Sequence, residues 1–297
     1  MNRPNSLNRL LNSLANAFYS ADEINLEIFI DALPKNNTSC NKTIEIAKNF
    51  LWEHGRKKII KNTKNLGHIK QWFQRPLSIK PFFIIEDDLI LSPYFYSVVK
   101  KALKNNNTSN NKDVLGFSLQ KLRYVIVNDN CKNYDPDRCI KKNGIPRNSV
   151  YFLNQFSPWA PFVFSEKWNE LINYYEQNEK KSKKVIHCIP NAISNLWYNA
   201  SDTFAQYFMY EKGYFLMFFN TINEISHNFL EKGLHFSGKK MAMNYTLFNI
   251  TENELVFERK YFFDVGFNRI KNTDAFPSNT TFSNNNLNFT QKCKVRY

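Results

Sequence analysis

Apolar residues recur at helical spacing in several parts of the chain. Near the start, five of them fall three or four residues apart, which predicts an amphipathic helix capped by Asn5: Leu7, Leu10, Leu11, Leu14 and Phe18. The same criterion predicts helices over about 43–53, 69–73, 93–103, 167–177 and 204–212. Gly55 and Gly213 stand where glycine commonly ends a helix.

Shorter apolar runs predict strands at 26–30, 58–61, 81–85, 114–119, 162–164 and 214–219. The run at 81–85 is almost continuously apolar, which is typical of a strand buried on both faces. Strands alternate with helices through the first half of the chain. This succession predicts an α/β domain with a mainly parallel sheet and helices on both faces. The stretch 125–150 is polar and loop-rich, and 278–297 has the composition of a flexible tail.

Composition and charge narrow the class of protein. Hydrophobic residues make up 43% of the chain against 22% charged, which predicts a packed globular core and argues against global disorder. The net charge of +14 is compatible with a nucleic acid, an anionic membrane surface or an anionic small substrate. The basic residues are scattered in short runs, without a zinc-finger or RNP pattern. Nucleic-acid binding is therefore a minor alternative, and we expect no nucleic-acid partner.

The five cysteines form no CxxC pair and have no histidine at metal-ligand spacing. Cys131 and Cys139 flank a polar loop, and they either form a disulfide in an oxidising compartment or remain thiols. N-glycosylation motifs fit a secretory protein, although an Asn-rich chain also produces them by chance: Asn41, Asn199, Asn244 and Asn249. The sequence shows neither a signal peptide nor an apolar run long enough to span a membrane.

Carboxylates follow two of the predicted strands. Asp31 ends the strand at 26–30, and Glu86, Asp87 and Asp88 follow the strand at 81–85. Ligands of open α/β sheets bind beyond the carboxyl ends of the strands. Three adjacent carboxylates repel one another, and a divalent cation such as Mn²⁺ or Mg²⁺ would offset their charge. The alternative for the acidic triplet is a solvated turn.

Four segments together resemble a known enzyme family. In the stretch from Phe82 to Phe95 an apolar strand runs into Glu-Asp-Asp and is followed by a Pro-aromatic helix start. It resembles the metal-binding segment of the N-acetylglucosaminyltransferase I family, which belongs to the GT-A nucleotide-diphospho-sugar transferases. The opening Asn2–Leu7 resembles the segment after the family's first strand, Asp31 the acidic residue that holds the uracil, and Phe156–Trp159 a loop with a tryptophan beside the donor sugar. The resemblance covers roughly residues 2–235.

The resemblance implies a GT-A, Rossmann-like mixed sheet with helices on both faces. It implies a single domain over 1–277, in which 1–124 bind the nucleotide sugar and 125–277 face the acceptor. The segment similar to Arg3–Asn5 follows a central first strand in that family. We therefore expect this first strand to be missing, its neighbours to lack hydrogen-bond partners, and the chain to be an N-terminally truncated product of low stability.

The implied function is that of a glycosyltransferase, moving a hexose or an N-acetylhexosamine. The donor would be a nucleotide sugar, in particular a UDP-sugar, the acceptor a glycan or glycoprotein, and the cofactor Mn²⁺ or Mg²⁺. The implied location is the secretory pathway, in the Golgi, with membrane association only through a missing N-terminal anchor. The alternative is a catalytically inactive GT-A module that binds a glycan or a protein.

The resemblance assigns roles to the acidic residues and to two others. Asp88 would bind the metal, while Glu86 and Asp87 would reach ribose or sugar hydroxyls. Arg3 and Asp31 would hold the nucleotide. A further glycine, Gly67, would either let its backbone approach the donor or serve as a turn.

The catalytic base is where this sequence departs from the family. An inverting transferase needs a carboxylate to take the acceptor's proton, and the stretch Asn154–Trp159 contains none. Asp202 is the substitute candidate, with helix capping as its alternative role. Trp159 would line the donor or acceptor pocket, or be a core residue. His235 would be an extra metal ligand or phosphate contact, or structural. Whether the reaction inverts or retains configuration stays open.

Overall fold

In the computed structural model, the described residues are 3–33, 41–76, 81–105, 112–127, 136–179, 189, 192, 200–229, 245–249, 255–258 and 261–270. The helices are α1 Pro4–Ala15, α2 Asn41–Asn49, α3 Gly67–Trp72, α4 Phe95–Asn105, α5 Pro136–Lys142, α6 Ser165–Asn178 and α7 Ser201–Lys212. The strands are β1 Leu26–Ile30, β2 Lys57–Lys61, β3 Phe82–Phe83, β4 Leu89–Leu91, β5 Val114–Ser118, β6 Val150–Leu153, β7 Pro161–Val163, β8 Phe215–Phe219, β9 Ser226–Asn228 and β10 Phe262–Phe263.

The main sheet has six strands in the order β10-β6-β8-β5-β7-β3. β5 and β8 are parallel, whereas β7 runs antiparallel to both β5 and β3, and β6 antiparallel to β8. The prediction of a mainly parallel sheet is therefore wrong. Strand direction depends on which strands pair, and a local apolar pattern does not encode it. The chain is an α/β protein with a mixed sheet, compatible with a Rossmann-like fold.

Two further pairs of strands lie outside the main sheet. β1 and β2 form a parallel pair, and β4 and β9 an antiparallel pair. In the described part of the chain, β1 is hydrogen-bonded as a strand only to β2, and β3 only to β7. That a central first strand is missing remains a prediction.

Apolar faces explain the helices and their ends. In α1 the four predicted leucines are buried, but the helix ends at Ala15, so Phe18 lies beyond it, 55% exposed and stacked on Tyr94. α7 ends as predicted at Gly213, which adopts the left-handed conformation with φ of 67°. α7 begins three residues earlier than expected, which places Asp202 in its first turn.

The core lies on both faces of the main sheet. Along β5, Val114 packs in the cluster beneath α1 and α4, while the next residue, Leu115, packs in the cluster beneath α6 and α7. In β6, Phe152 packs in the first of these clusters and Tyr151 in the second. This alternation is the period of two expected for a sheet covered on both sides. Helices on both faces were predicted correctly.

The predictions for the segment 125–150, the cysteines and the tail are confirmed only in part or lie outside the described residues. The segment 125–150, predicted as loop, contains α5. Cys139 on this helix forms a disulfide. The proposed partner Cys131 lies outside the described residues, as do His235 and the tail at 278–297. Within the described ranges, no helix has the length and apolar character needed to cross a membrane.

Candidate functional site

The acidic triplet occupies a tight turn between β3 and β4. The backbone N–H of Leu89 donates to the carbonyl of Glu86 at 3.3 Å, which closes the turn. β4 then pairs with β9, and the N–H of Phe229 donates to the carbonyl of Asp88 at 3.1 Å. Leu89 is fully buried. The backbone of the turn is thus anchored from the apolar side, and the three carboxylates are held close together.

Arg3, immediately before α1, binds two of these carboxylates. Its Nε donates to Oδ2 of Asp87 at 3.1 Å and its Nη2 to Oδ1 of the same residue, while Nη1 donates to Oδ2 of Asp88 at 2.9 Å. Burial alone would lower the pKa of Arg3, but the charges of Asp87 and Asp88 hold it above its ordinary value. The sequence predicted that Arg3 and the triplet belong to one site, but not this direct pairing.

One oxygen of the Asp88 carboxylate has no hydrogen-bond partner among the residues that the structure describes. Asp88 is 7% exposed, and its Oδ1 is buried without a hydrogen bond. A buried charged oxygen that lacks a partner is costly, and such atoms commonly mark a ligand or ion site. Burial raises the pKa of Asp88, although the positive charge of Arg3 opposes this.

Asp202 joins the same cluster from α7. Burial, together with the charges of Asp88, Asp202 and Asp87, raises the pKa of Glu86 to about 8. Burial also raises the pKa of Asp202 to about 6, against the effect of hydrogen bonds from its own and the Thr203 backbone N–H. Asp202 therefore makes the backbone contacts of a helix-start carboxylate and faces the triplet as well. The cluster carries more negative charge than Arg3 alone can balance.

Tyr124 connects Trp159 to these carboxylates. The rings of Tyr124 and Trp159 meet edge to face, with centroids 5.7 Å apart. Burial raises the pKa of Tyr124 well above its ordinary value, with further contributions from the charges of Asp202 and Glu86. Trp159 is partly exposed, and its carbonyl accepts a hydrogen bond from Ser118 at 3.0 Å. Sequence reasoning missed Tyr124, because the stretch of mixed composition around it gave no signal.

Buried amides hold the loop that carries Trp159. Oε1 of Gln206, on α7, accepts from the N–H of Phe156 at 2.6 Å, and its Nε2 donates to the carbonyl of Asn154 at 3.1 Å. Gln155 clamps the neighbouring segment, donating to the carbonyl of Tyr124 and accepting from the N–H of Ile126. The same helix thus positions Asp202 and the tryptophan loop.

Asp31 and Gly67 lie together at the end of β1. The Asp31 carboxylate accepts hydrogen bonds from the N–H of Leu66 at 2.9 Å and from the N–H of Gly67 at 3.1 Å. The side chains of Asn62 and Asn65 also donate to it. Asp31 therefore fastens the loop before α3 to β1. Gly67 has a φ of 78°, as a turn glycine does, and its Cα has open space beside it.

The loop at Gly67 reaches α7 through the next residue. Nε2 of His68 and Oγ of Ser201 form a hydrogen bond of 3.1 Å, and Ser201 directly precedes Asp202. Asp31 and Gly67 are therefore linked to the carboxylate cluster by a short chain of contacts. Neither His68 nor Ser201 was identified from the sequence.

A basic and aromatic group, here called the His227 cluster, flanks the triplet on β9. Arg123 forms an ion pair with Glu224 at 3.0 Å and a hydrogen bond with Nδ1 of His227 at 3.3 Å. Tyr245 stacks on His227 with centroids 4.1 Å apart. Burial, together with the charges of Arg123 and Arg9, lowers the pKa of His227 to about 4. The imidazole is thus neutral near pH 7.

The structure brings most of the predicted site residues together. Arg3 contacts two carboxylates of the triplet, Asp202 faces Glu86, and Trp159 joins through Tyr124. Throughout the described ranges, no three His, Cys, Asp or Glu side chains form a preassembled metal-ligand set. Mg²⁺ commonly uses only one or two protein carboxylates and takes its other ligands from substrate phosphates and water.

No protein-family model matches the sequence, and a search of the curated proteins gives no match either. Conclusions about function therefore depend on the site itself.

Proposed function

We propose that this chain is a divalent-metal-dependent glycosyltransferase of the GT-A type, with a UDP-sugar as donor and a glycan or glycoprotein as acceptor. The observation that carries the proposal is the buried, unpartnered Oδ1 of Asp88 within a cluster that includes Glu86, Asp87 and Asp202. The cluster follows a strand of an α/β sheet, where ligands of such folds bind.

The residues present suit a hard divalent cation. Carboxylate oxygens are the ligands that Mn²⁺ and Mg²⁺ prefer, and Asp88 offers one that no protein group uses. Asp88 would hold the ion. Asp87, which the resemblance assigns to a ribose or sugar hydroxyl, could join it only after Arg3 releases its two oxygens. When bound, the ion would supply positive charge to the leaving diphosphate.

The remaining residues would orient the donor and move the proton. Trp159 and Tyr124 form an aromatic wall beside the carboxylates, suited to the apolar face of a sugar ring. Asp202 is our candidate for the base that takes the acceptor's proton, because its pKa of about 6 leaves it ionised at pH 7 and close to the optimum for proton transfer. Its helix-start hydrogen bonds do not occupy all of its acceptor capacity.

The proposed function also suggests where in the cell the protein acts. The disulfide of Cys139 agrees with an oxidising compartment, such as the secretory pathway in which glycoprotein acceptors are found. A Golgi location is part of the proposed function on that basis.

One observation favours a second function, that of an inactive glycan- or protein-binding module. Arg3 already neutralises part of the charge on Asp87 and Asp88, which reduces the need for a bound cation. Such a module would lack turnover but could retain the fold and the site.

Calorimetric titration of UDP with and without Mn²⁺ tests the proposal. We expect Mn²⁺ to tighten UDP binding in the wild type, and Asp88→Asn to abolish that effect while thermal unfolding stays cooperative. The matched control is Asp113→Asn, outside the cluster. Metal-independent UDP binding, or none, contradicts the proposal. Metal-dependent binding without hydrolysis of any UDP-sugar supports the inactive module.

A further inference from the structure

Arg3 occupies the position in which a cation would balance Asp87 and Asp88. Its guanidinium spans both side chains, so that both oxygens of Asp87 and Oδ2 of Asp88 accept its hydrogen bonds. Of the four oxygens of these two carboxylates, only Oδ1 of Asp88 is left without a hydrogen bond from the described part of the chain. A divalent ion that approached this oxygen would meet the positive charge of Arg3 a few bond lengths away.

The protein shields this pair from water. The exposed fractions of the side chains are 18% for Arg3, 28% for Asp87 and 10% for Asp88. Partial burial weakens solvent screening, so attraction within the pair and repulsion of a second cation are both stronger than at the surface. Arginine does not lose its proton in proteins, so its charge leaves the carboxylates only if the side chain moves.

The backbone at Arg3 is anchored, whereas its side chain could leave the carboxylates and bind a diphosphate instead. The N–H of Leu7 donates to the carbonyl of Arg3 at 3.1 Å, and the leucines of α1 are buried in the core. Movement would therefore involve the side chain and not the helix. A diphosphate presents oxygens that match the planar guanidinium fork as well as a carboxylate does.

We infer that Arg3 is an internal counter-ion that competes with the divalent cation for Asp87 and Asp88, and that a nucleoside diphosphate admits the cation by accepting Arg3. This inference builds on the proposed function. It makes metal and nucleotide binding mutually dependent. Each ligand strengthens the binding of the other by the same factor, because the coupling is reciprocal.

The test is a titration of the full chain with Mn²⁺ alone, followed by the paramagnetic resonance of the free ion, and its repetition with saturating UDP. We expect Arg3→Gln to bind Mn²⁺ alone about tenfold more tightly than the wild type, and the gain that UDP gives to shrink. Arg75→Gln is the matched control, since Arg75 forms an exposed pair with Glu176. It should behave as the wild type does.

Equal or weaker Mn²⁺ binding by folded Arg3→Gln overturns the inference, while the proposed function survives if UDP still promotes Mn²⁺ binding in the wild type. A wild type that binds no Mn²⁺ even with UDP overturns the metal site itself. Thermal unfolding establishes whether Arg3→Gln folds. If Arg3→Gln does not fold, the same Mn²⁺ titration of Arg3→Lys tests the inference. Lysine lacks the fork, so Mn²⁺ alone should bind more tightly than to the wild type, and unchanged or weaker binding overturns the inference.

Discussion

The side-chain oxygen of Gln206 accepts a hydrogen bond of 2.6 Å from the backbone N–H of Phe156, which ties α7 to the loop that carries Trp159. The same amide donates to the carbonyl of Asn154, so one buried side chain satisfies two backbone groups of the loop. The base candidate Asp202 and the tryptophan loop are therefore positioned by the same helix.

Gln206→Leu should destabilise the protein and disturb this loop. Two buried backbone groups lose their partners, and each such group costs about 1–3 kcal/mol. We expect the free energy of unfolding in urea to fall by at least about 2 kcal/mol, with a change in tryptophan emission. Gln177→Leu, on the exposed side of α6, is the control and should stay within about 0.5 kcal/mol of the wild type. Equal stability of the two variants would show that the loop does not depend on Gln206.

The main effect of Asp31→Ala should be a lower free energy of unfolding, and not a loss of ligand binding. The carboxylate of Asp31 already accepts backbone hydrogen bonds from Leu66 and Gly67, so its removal leaves the loop before α3 unfastened. We expect a loss of about 1–3 kcal/mol in urea unfolding. Asp22→Ala is the control, because the Asp22 carboxylate contacts the side chains of Lys100 and Tyr96 instead of fastening a loop backbone. If stability is unchanged and UDP binding is lost, Asp31 serves the nucleotide and not the loop.

Most helices and strands could be predicted, because apolar periodicity and helix-ending glycines are visible in short stretches of sequence. The strand Leu26–Ile30 has the predicted bounds, and α7 ends at the predicted Gly213. The predicted strand at 81–85 is shorter in the structure, and its continuation after the acidic turn, β4, was missed. Three residues are too few to show a period, and β4 forms because β9 pairs with it.

The site was predictable in its acidic residues and less so in their partners. Glu86, Asp87 and Asp88 are adjacent in the sequence, so the acidic triplet can be identified without knowing the fold. Arg3 is separated from them by more than 80 residues, and its pairing follows from how α1 packs on the core. Tyr124 lies in a stretch of mixed composition, and only the fold brings it beside Trp159.

His227 should contribute a loss of stability in weak acid. Burial, with Arg123 and Arg9 nearby, lowers the pKa of its imidazole to about 4, below the ordinary value of 6.5. Between these values the unfolded chain binds a proton that the folded protein does not, so stability decreases as the pH falls from about 6.5 to about 4. The full difference corresponds to about 3 kcal/mol. The raised pKa values of Glu86 and Asp202 act in the opposite direction. The loss due to His227 is therefore measured as the difference in pH dependence of urea unfolding between the wild type and His227→Gln.

His227→Gln should reduce that pH dependence, since glutamine does not titrate. His54→Gln is the control for the loss of one histidine, as His54 bonds to the carbonyl of Ala15 in a different part of the core. A wild-type slope that persists in His227→Gln assigns the acid sensitivity to other groups.

Gly116→Ala should be the most damaging small substitution in the sheet. Gly116 of β5 pairs with Val163 of β7, and a Cβ at this position would lie 1.8 Å from the carbonyl oxygen of Phe162. That atom belongs to the backbone of the neighbouring strand, so it cannot swing aside as a side chain would. The two strands would have to separate, and the stacked rings of Phe117 and Phe162 would part with them.

We expect Gly116→Ala to lose more than about 3 kcal/mol of unfolding free energy, or to be insoluble. Gly144→Ala is the matched control, because Gly144 has a positive φ of 65° but no atom within 4 Å of the added methyl group. Its cost should be that of backbone strain alone, about 1 kcal/mol. Since β7 directly follows the loop of Trp159, a folded Gly116→Ala should also show altered tryptophan emission. If the two variants are equally stable, β5 and β7 do not approach as closely as described.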